Sequence, residues 1–376
     1  MKKSVLALAA LGAFAGAASA QSSVTLFGIA DVNVQTVSND DRTYSLGTDG
    51  MASSRLGFRG VEDLGGGLKA SFWLEMGIQL DTGRNASVWG NGTTPITGST
   101  TQEGNQLFFN RRSTVSLSNQ WGELRLGRDY TPTFWNWTAF DPFGTNGVGS
   151  STNIALGSDL QSALAGSTFG TLVRANNMVS YVLPGGTQGT GLYGQASVAA
   201  GEGAAGNKYY GGRIGYAAGP FDIAAAYGKT EELLGAGSDV DLDAWNIAGS
   251  WNFGFMKLAG FYGDMSAEGR VAGINRKAGR ENWYVGVSAP FGQWNFKASY
   301  GGTNGKDLLD NTDASQWALG VDYNLSKRTA LYATWASINN DGNSTNGANF
   351  SVSNQASALT RGNNSTGGQI GVRHSF

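Results

Sequence analysis

The chain has 376 residues, with 26 Lys plus Arg against 28 Asp plus Glu, one His, no Cys and 58 Gly. A charged fraction of 14% lies far below the roughly 25% of an ordinary soluble domain, while 40% apolar content is too low for a bundle of membrane helices. Near-neutral balance provides no basic face for nucleic acid, and the lack of Cys removes disulfides, zinc-thiolate sites and thiol nucleophiles.

In chain order, residues 1–20 read as an export signal. Lys2 and Lys3 form a positive start, Val5 to Ala17 is apolar and Ala-rich, and Ala18-Ser19-Ala20 is a small-residue cleavage site. The apolar run is shorter than the ~20 residues a spanning helix requires, so a cleaved segment and a mature chain from Gln21 are expected. That mature chain, 21–376, carries 24 bases against 28 acids, a formal charge of -4. Export without disulfides fits a bacterial envelope.

Beyond Gln21 no window shows sustained 3.6-residue apolar spacing, and no run of 18 apolar residues occurs. Alternation takes its place. Between Gly67 and Asp81, Leu68, Ala70, Phe72, Leu74, Met76, Ile78 and Leu80 share one face while Lys69, Ser71, Trp73, Glu75 and Gln79 share the other. Segments of this kind predict strands over 24–37, 51–64, 67–80, 107–118, 121–129, 174–184, 189–199, 208–218, 220–229, 241–252, 254–264, 280–290, 293–302, 313–325, 327–338 and 366–376. Tight Gly and Pro turns such as Leu64-Gly65-Gly66-Gly67, Gly219-Pro220 and Phe291-Gly292 join them at one end. Long polar stretches at 38–50, 81–106, 130–173, 200–207, 230–240, 265–279, 303–312 and 339–365 join them at the other. Short turns and long loops in strict alternation describe an up-and-down meander with two unlike ends.

Two features turn that meander into a membrane barrel. Trp121, Tyr181, Phe221, Trp251, Phe253, Phe255, Phe291, Trp294 and Tyr323 crowd the short-turn ends, where an interfacial aromatic girdle belongs. At the C-terminus Ile370, Val372, His374 and Phe376 alternate with Gly371, Arg373 and Ser375, so the chain ends inside a strand. Unpaired backbone is costly in lipid, so this strand must close on the first. Sixteen antiparallel transmembrane strands, with short periplasmic turns and long extracellular loops, enclose an aqueous channel.

At this point the residues resemble the general diffusion porins of Gram-negative bacteria, most closely the trimeric beta-proteobacterial type. The likeness rests on Val24-Thr25-Leu26-Phe27-Gly28 with Asp31, Ser54-Arg55-Leu56-Gly57-Phe58-Arg59-Gly60 with Glu62-Asp63-Leu64-Gly65, and Leu126-Gly127-Arg128. Arg174, Asn176-Asn177 with Tyr181, and the terminal Gly371-Val372-Arg373-His374-Ser375-Phe376 add to it. The resemblance implies a homotrimer in outer-membrane lipid, a third loop of about 130–173 folded into the bore, and passive passage of small hydrophilic solutes and ions. It also implies that wall arginines form a ladder facing acidic and carbonyl groups of that loop. Phe134-Trp135-Asn136-Trp137 departs from the family pattern.

Arg55, Arg59, Arg112 and Arg174 are the candidate ladder, with Asp141 in the third loop as the candidate acid and Phe376 as the assembly signal. The alternative for each arginine is a structural ion pair with Glu62, Glu75 or Glu123, and both roles can coexist in a wet lumen. Anchoring against the inner wall suits Trp135 and Trp137 better than stacking on sugars. Asn339 to Asn343 lacks the spaced acids and closing Glu of a calcium loop, so no metal and no cofactor are expected. A single His, at the wrong end of the last strand, leaves no catalytic constellation, so the chain is not expected to be an enzyme. The reading is a mildly anion-selective diffusion channel; the competing readings are a substrate-specific channel and an adhesin or structural surface barrel.

Overall fold

Segments with one apolar and one polar face satisfy their backbone in lipid only by pairing edge to edge into a closed ring. The computed structural model forms that ring. It describes residues 23–85, 108–156, 160, 163–164, 170–201, 208–235, 238–341, 350–353 and 359–376. The expected signal segment 1–20, Gln21, most of the stretch 81–106, Asp159 and Asn343 lie outside the described residues.

The strands are β1 (Ser23–Ser38), β2 (Arg42–Thr48), β3 (Arg55–Gly65), β4 (Leu68–Gly77), β5 (Arg112–Asn119), β6 (Gly122–Tyr130), β7 (Arg174–Val182), β8 (Gly191–Ala199) and β9 (Lys208–Ala218). They continue as β10 (Phe221–Gly235), β11 (Ser238–Asn252), β12 (Lys257–Val271), β13 (Ile274–Phe291), β14 (Trp294–Asp307), β15 (Ala314–Asn324), β16 (Thr329–Asn340) and β17 (Ser365–Ser375). Each pairs antiparallel with its neighbours, and β17 closes on β1 from Ile29 opposite Ser375 to Ser38 opposite Thr366. Both β2 and β3 lie along β1, β2 against Val32 to Ser38 and β3 against Ser23 to Ile29. They are halves of one traverse, so the seventeen strands make the sixteen crossings that alternation predicts.

The break between those halves is held by a buried carboxylate. Asp31 accepts from the backbone N–H of Gly50, Met51 and Ala52 at 3.2, 2.9 and 2.7 Å, and from the Tyr332 hydroxyl. Here the structure departs from the expected loop 38–50, because 42–48 is strand and the connection is only 39–41. Two other expected loops, 230–240 and 265–279, are also largely strand, and β12 turns into β13 through Ala272 and Gly273, both at positive φ. Acids such as Glu231, Glu232 and Asp239 hid the first of these segments. Their inward partners Val240, Leu242, Met265, Ala267 and Ala278 are buried under the third loop, and that burial extends the ladder beyond the membrane.

Outward side chains are apolar and exposed around the ring, as a lipid-facing surface requires. The turn-side aromatics stand where they were expected, and a second belt, unpredicted, lies above them. Phe221 and Tyr227, Trp245 and Trp251, Trp294 and Tyr300, and Trp317 and Tyr323 are each six residues apart on one strand. Even spacing keeps both members on the same face, about 20 Å apart along the strand. Closure is completed by Phe376, whose N–H and C=O exchange 3.1 Å bonds with Gly28. Its ring covers Gly28, where an added Cβ would lie 2.3 Å from it. Gly28 therefore accommodates the chain's own terminus.

Candidate pore constriction

The third loop begins with helix α1 (Pro132–Phe140), a stretch without helical periodicity in the sequence. Pro132 opens it with φ already fixed, and Pro142 ends it by holding Asp141 extended at φ -73°, ψ 122°. A 3-10 turn, Ser151–Ile154, follows. Phe134, Trp137 and Phe140 of α1 are buried against the inner wall formed by β9 to β12, with Trp137 4.6 Å from the Phe261 ring.

Polar bonds fix the loop at several points around the barrel. Asn136 donates to Ala224 O (3.0 Å) and Asn246 Oδ1 (2.8 Å) and accepts from Arg213 Nε (2.9 Å). Gln316 on β15 donates to Ser150 O at 2.9 Å, Gln369 on β17 accepts from Val148 N–H at 3.3 Å, and Ser53 donates to Asn146 Oδ1 at 2.7 Å. The loop thus runs along one side of the lumen, anchored from β10 round to the β2–β3 break. The arc β3 to β6 keeps its own inward side chains in the bore.

Register places those side chains. Arg59 lies opposite Trp73, Gly57 opposite Glu75, and Glu75 in turn opposite Arg112. Arg55, Arg112 and Arg59 therefore descend in steps of two residues, about 7 Å each. Glu75 takes Arg111 Nε at 2.6 Å and Arg55 Nη1 at 3.4 Å. On β6, Arg125 binds Glu123 and Asp129, each at 2.8 Å, with Arg112 Nε 3.5 Å from Asp129. Arg59 is exposed and has no carboxylate partner among the described residues; its guanidinium lies 5.3 Å from the ring centres of both Phe27 and Trp73.

Of the sequence-derived candidates, Arg55, Arg59 and Arg112 come together on this arc. Arg174 is 4% exposed, its guanidinium 4.3 Å from the Tyr130 ring and its Nε donating to Arg111 O at 3.0 Å. It stands behind the wall surface. Asp141 is turned into the loop, where its carboxylate accepts from the N–H groups of Phe143 (2.8 Å), Thr145 (3.3 Å) and Ser151 (3.0 Å) and from Ser151 Oγ (2.6 Å). Burial raises its pKa above the ordinary carboxylate range against the pull of those donors. Glu75 pairs with Arg55, as the structural alternative had it, whereas Glu123 pairs with Arg125, which was not a candidate, and Arg112 pairs with Asp129. Arg111, Arg125 and Trp73 went unselected, although Trp73 and Arg125 sit on inward parity; their pairing across strands was the missing signal.

A family model described as Gram-negative porin matches residues 7–343. Outer membrane porin protein 32 of Delftia acidovorans is 38% identical over 383 residues, covering 100% of both chains. An outer membrane porin protein of Bordetella pertussis is 30% identical over 393 residues, covering 89% of this chain and 93% of its own. The solved anion-selective porin from Comamonas acidovorans matches with a TM-score of 0.78 and 34% identity, over 95% of this chain and 100% of that one. Barrel closure, the folded-in loop, the family match and relatives at 30% identity or more agree: the chain belongs to the Gram-negative porins of the outer membrane.

Proposed function

We propose that this porin, a water-filled channel for small hydrophilic solutes and ions, prefers anions, and that the arginine arc of β3 to β6 sets the preference. One observation carries the reading. Arg55, Arg59, Arg111, Arg112 and Arg125 face Glu75, Glu123 and Asp129, with Asp49 acting on Arg55 and Arg111 from the β2–β3 break and Arg128 and Arg174 close behind, so cations outnumber acids on this arc, and the third loop supplies no opposing charge among its described residues. Asp141, the only charged side chain among the described residues 131–156, 160, 163–164 and 170–172, is buried. The anion selectivity of the Comamonas relative supports the same assignment.

Distance decides between this surplus and the chain's overall negative charge. At about 7 Å a unit charge in water contributes about 0.6 kcal/mol, a roughly 3-fold enrichment of anions, reduced to about 1.5-fold by screening over a Debye length near 8 Å. External acids such as Asp40 and Glu231 lie beyond that range of the ladder and are screened away. Each rung raises anions and lowers cations by that factor, so removing two rungs, Arg59→Ala with Arg112→Ala, should lower the anion-to-cation permeability ratio about five-fold, read from reversal potentials in a salt gradient. An unchanged ratio would refute the arc as its source.

We further propose that three copies assemble, with outward faces of the first and last strands in the contacts. Family membership supports the trimer. Crosslinking of native membranes is the test, and a ladder ending at one or two copies would contradict it.

A further inference from the structure

Trp73 occupies an unusual place among the cations of the bore. Its indole lies on the inner face of β4, between Arg59 on β3 and Arg112 on β5, with Arg59 Cζ 5.3 Å and Arg112 Cζ 4.7 Å from the ring centre. Phe27 meets it edge-on at 5.0 Å, so Arg59 rests against two adjoining rings. The indole N–H donates to Glu75 Oε2 at 3.1 Å, while Glu75 Oε1 is taken by Arg111 and Arg55.

A π face attracts a guanidinium without cancelling its charge, whereas a carboxylate pairs with it and removes its field from the bore. Glu75 sits level with Arg112 and one step from Arg59; Asp129 already lies 3.5 Å from Arg112 Nε, so Glu75 is the acid placed to neutralise Arg59. With both its oxygens engaged, neither ladder arginine is drawn to it. We propose that Trp73 is a specificity-determining residue of the channel: a platform that draws Arg59 and Arg112 from flanking strands onto one ring and occupies the carboxylate that would quench Arg59. Trp73 acts through the arginines, so it is a positioning residue. The inference rests on the anion preference proposed above and adds the reason these cations are not drawn to Glu75.

The experiment is a mutant cycle in planar bilayers under a KCl gradient, with heat-modifiable migration as the check on folding. Trp73→Leu should lower the anion-to-cation permeability ratio about two-fold or more at low salt, while Trp73→Phe, which keeps the ring and loses the N–H, should fall between it and wild type. In an Arg59→Ala, Arg112→Ala background, Trp73→Leu should change the ratio no further, although the wider bore still raises conductance. A merely space-filling tryptophan would instead give the same conductance change in both backgrounds and no selectivity change in either. If Trp73→Leu fails to assemble, Trp73→Gln carries the same expectation. An anion-selective wild type with an unchanged ratio in folded Trp73 variants would overturn the role of Trp73 alone. A wild type without anion preference would overturn the parent reading.

Discussion

Asn136→Leu should loosen the third loop while leaving the barrel intact. Asn136 is 0% exposed and ties α1 to β9, β10 and β11 through three hydrogen bonds of 2.8 to 3.0 Å. Leucine has similar volume, so the change is chiefly polar. It removes a side-chain donor from Ala224 O and one bond from Asn246, both still held by other partners, and leaves the charged Arg213 Nε unpaired, each of them buried. A neutral bond contributes about 1 kcal/mol and a bond to a charged group about 1.5–3 kcal/mol, so docking should weaken by about 2–4 kcal/mol after local adjustment. Hydrogen exchange at the backbone amides of 135–140 should then accelerate about 30- to several-hundred-fold if it proceeds by undocking of the loop, with β10–β13 protection unchanged. Single-channel records should become noisier over the same comparison. Unchanged protection in the helix would show that the apolar contacts of Phe134, Trp137 and Phe140 hold the loop without these bonds.

Three other outcomes follow from the geometry. Gly28→Val places a Cβ 2.3 Å from the Phe376 ring and 2.7 Å from Arg55 O, so it should impair closure; normal yields of heat-modifiable barrel would contradict this. Deleting Phe376 removes both 3.1 Å bonds to Gly28 and should reduce assembly more than Phe376→Leu, which keeps the backbone pair, and equal yields of the two would count against terminal closure. Asp141→Asn should destabilise the third loop, as it leaves four donors competing for one carbonyl oxygen, yet move the reversal potential less than Arg59→Ala; the reverse order would put Asp141 in the bore.

Much of the barrel was legible because alternation is a local property. Leu68 to Leu80 read one way and Lys69 to Gln79 the other, and parity alone turned Arg55, Arg59 and Arg112 inward. Where burial came from distant segments, the signal failed. Val240 lies between Asp239 and Asp241 and looked like loop, because the third-loop leucines that cover it are more than sixty residues away. Asp141 looked like a bore acid since its donors, Phe143 to Ser151, form only once the loop has folded. Trp73 was visible as an inward aromatic, but its meeting with Arg59 and Arg112 depends on the register of three strands, which no single segment encodes.

The central claim is that nearby wall guanidiniums outweigh the chain's net acidity, and the reversal potential of the wild-type protein across a tenfold KCl gradient tests it most directly. At low salt the potential should carry the sign of chloride permeation and shrink as both sides are raised toward molar salt, where the Debye length contracts to about 3 Å. A potential of the sign of potassium permeation, or one insensitive to salt, would contradict the account.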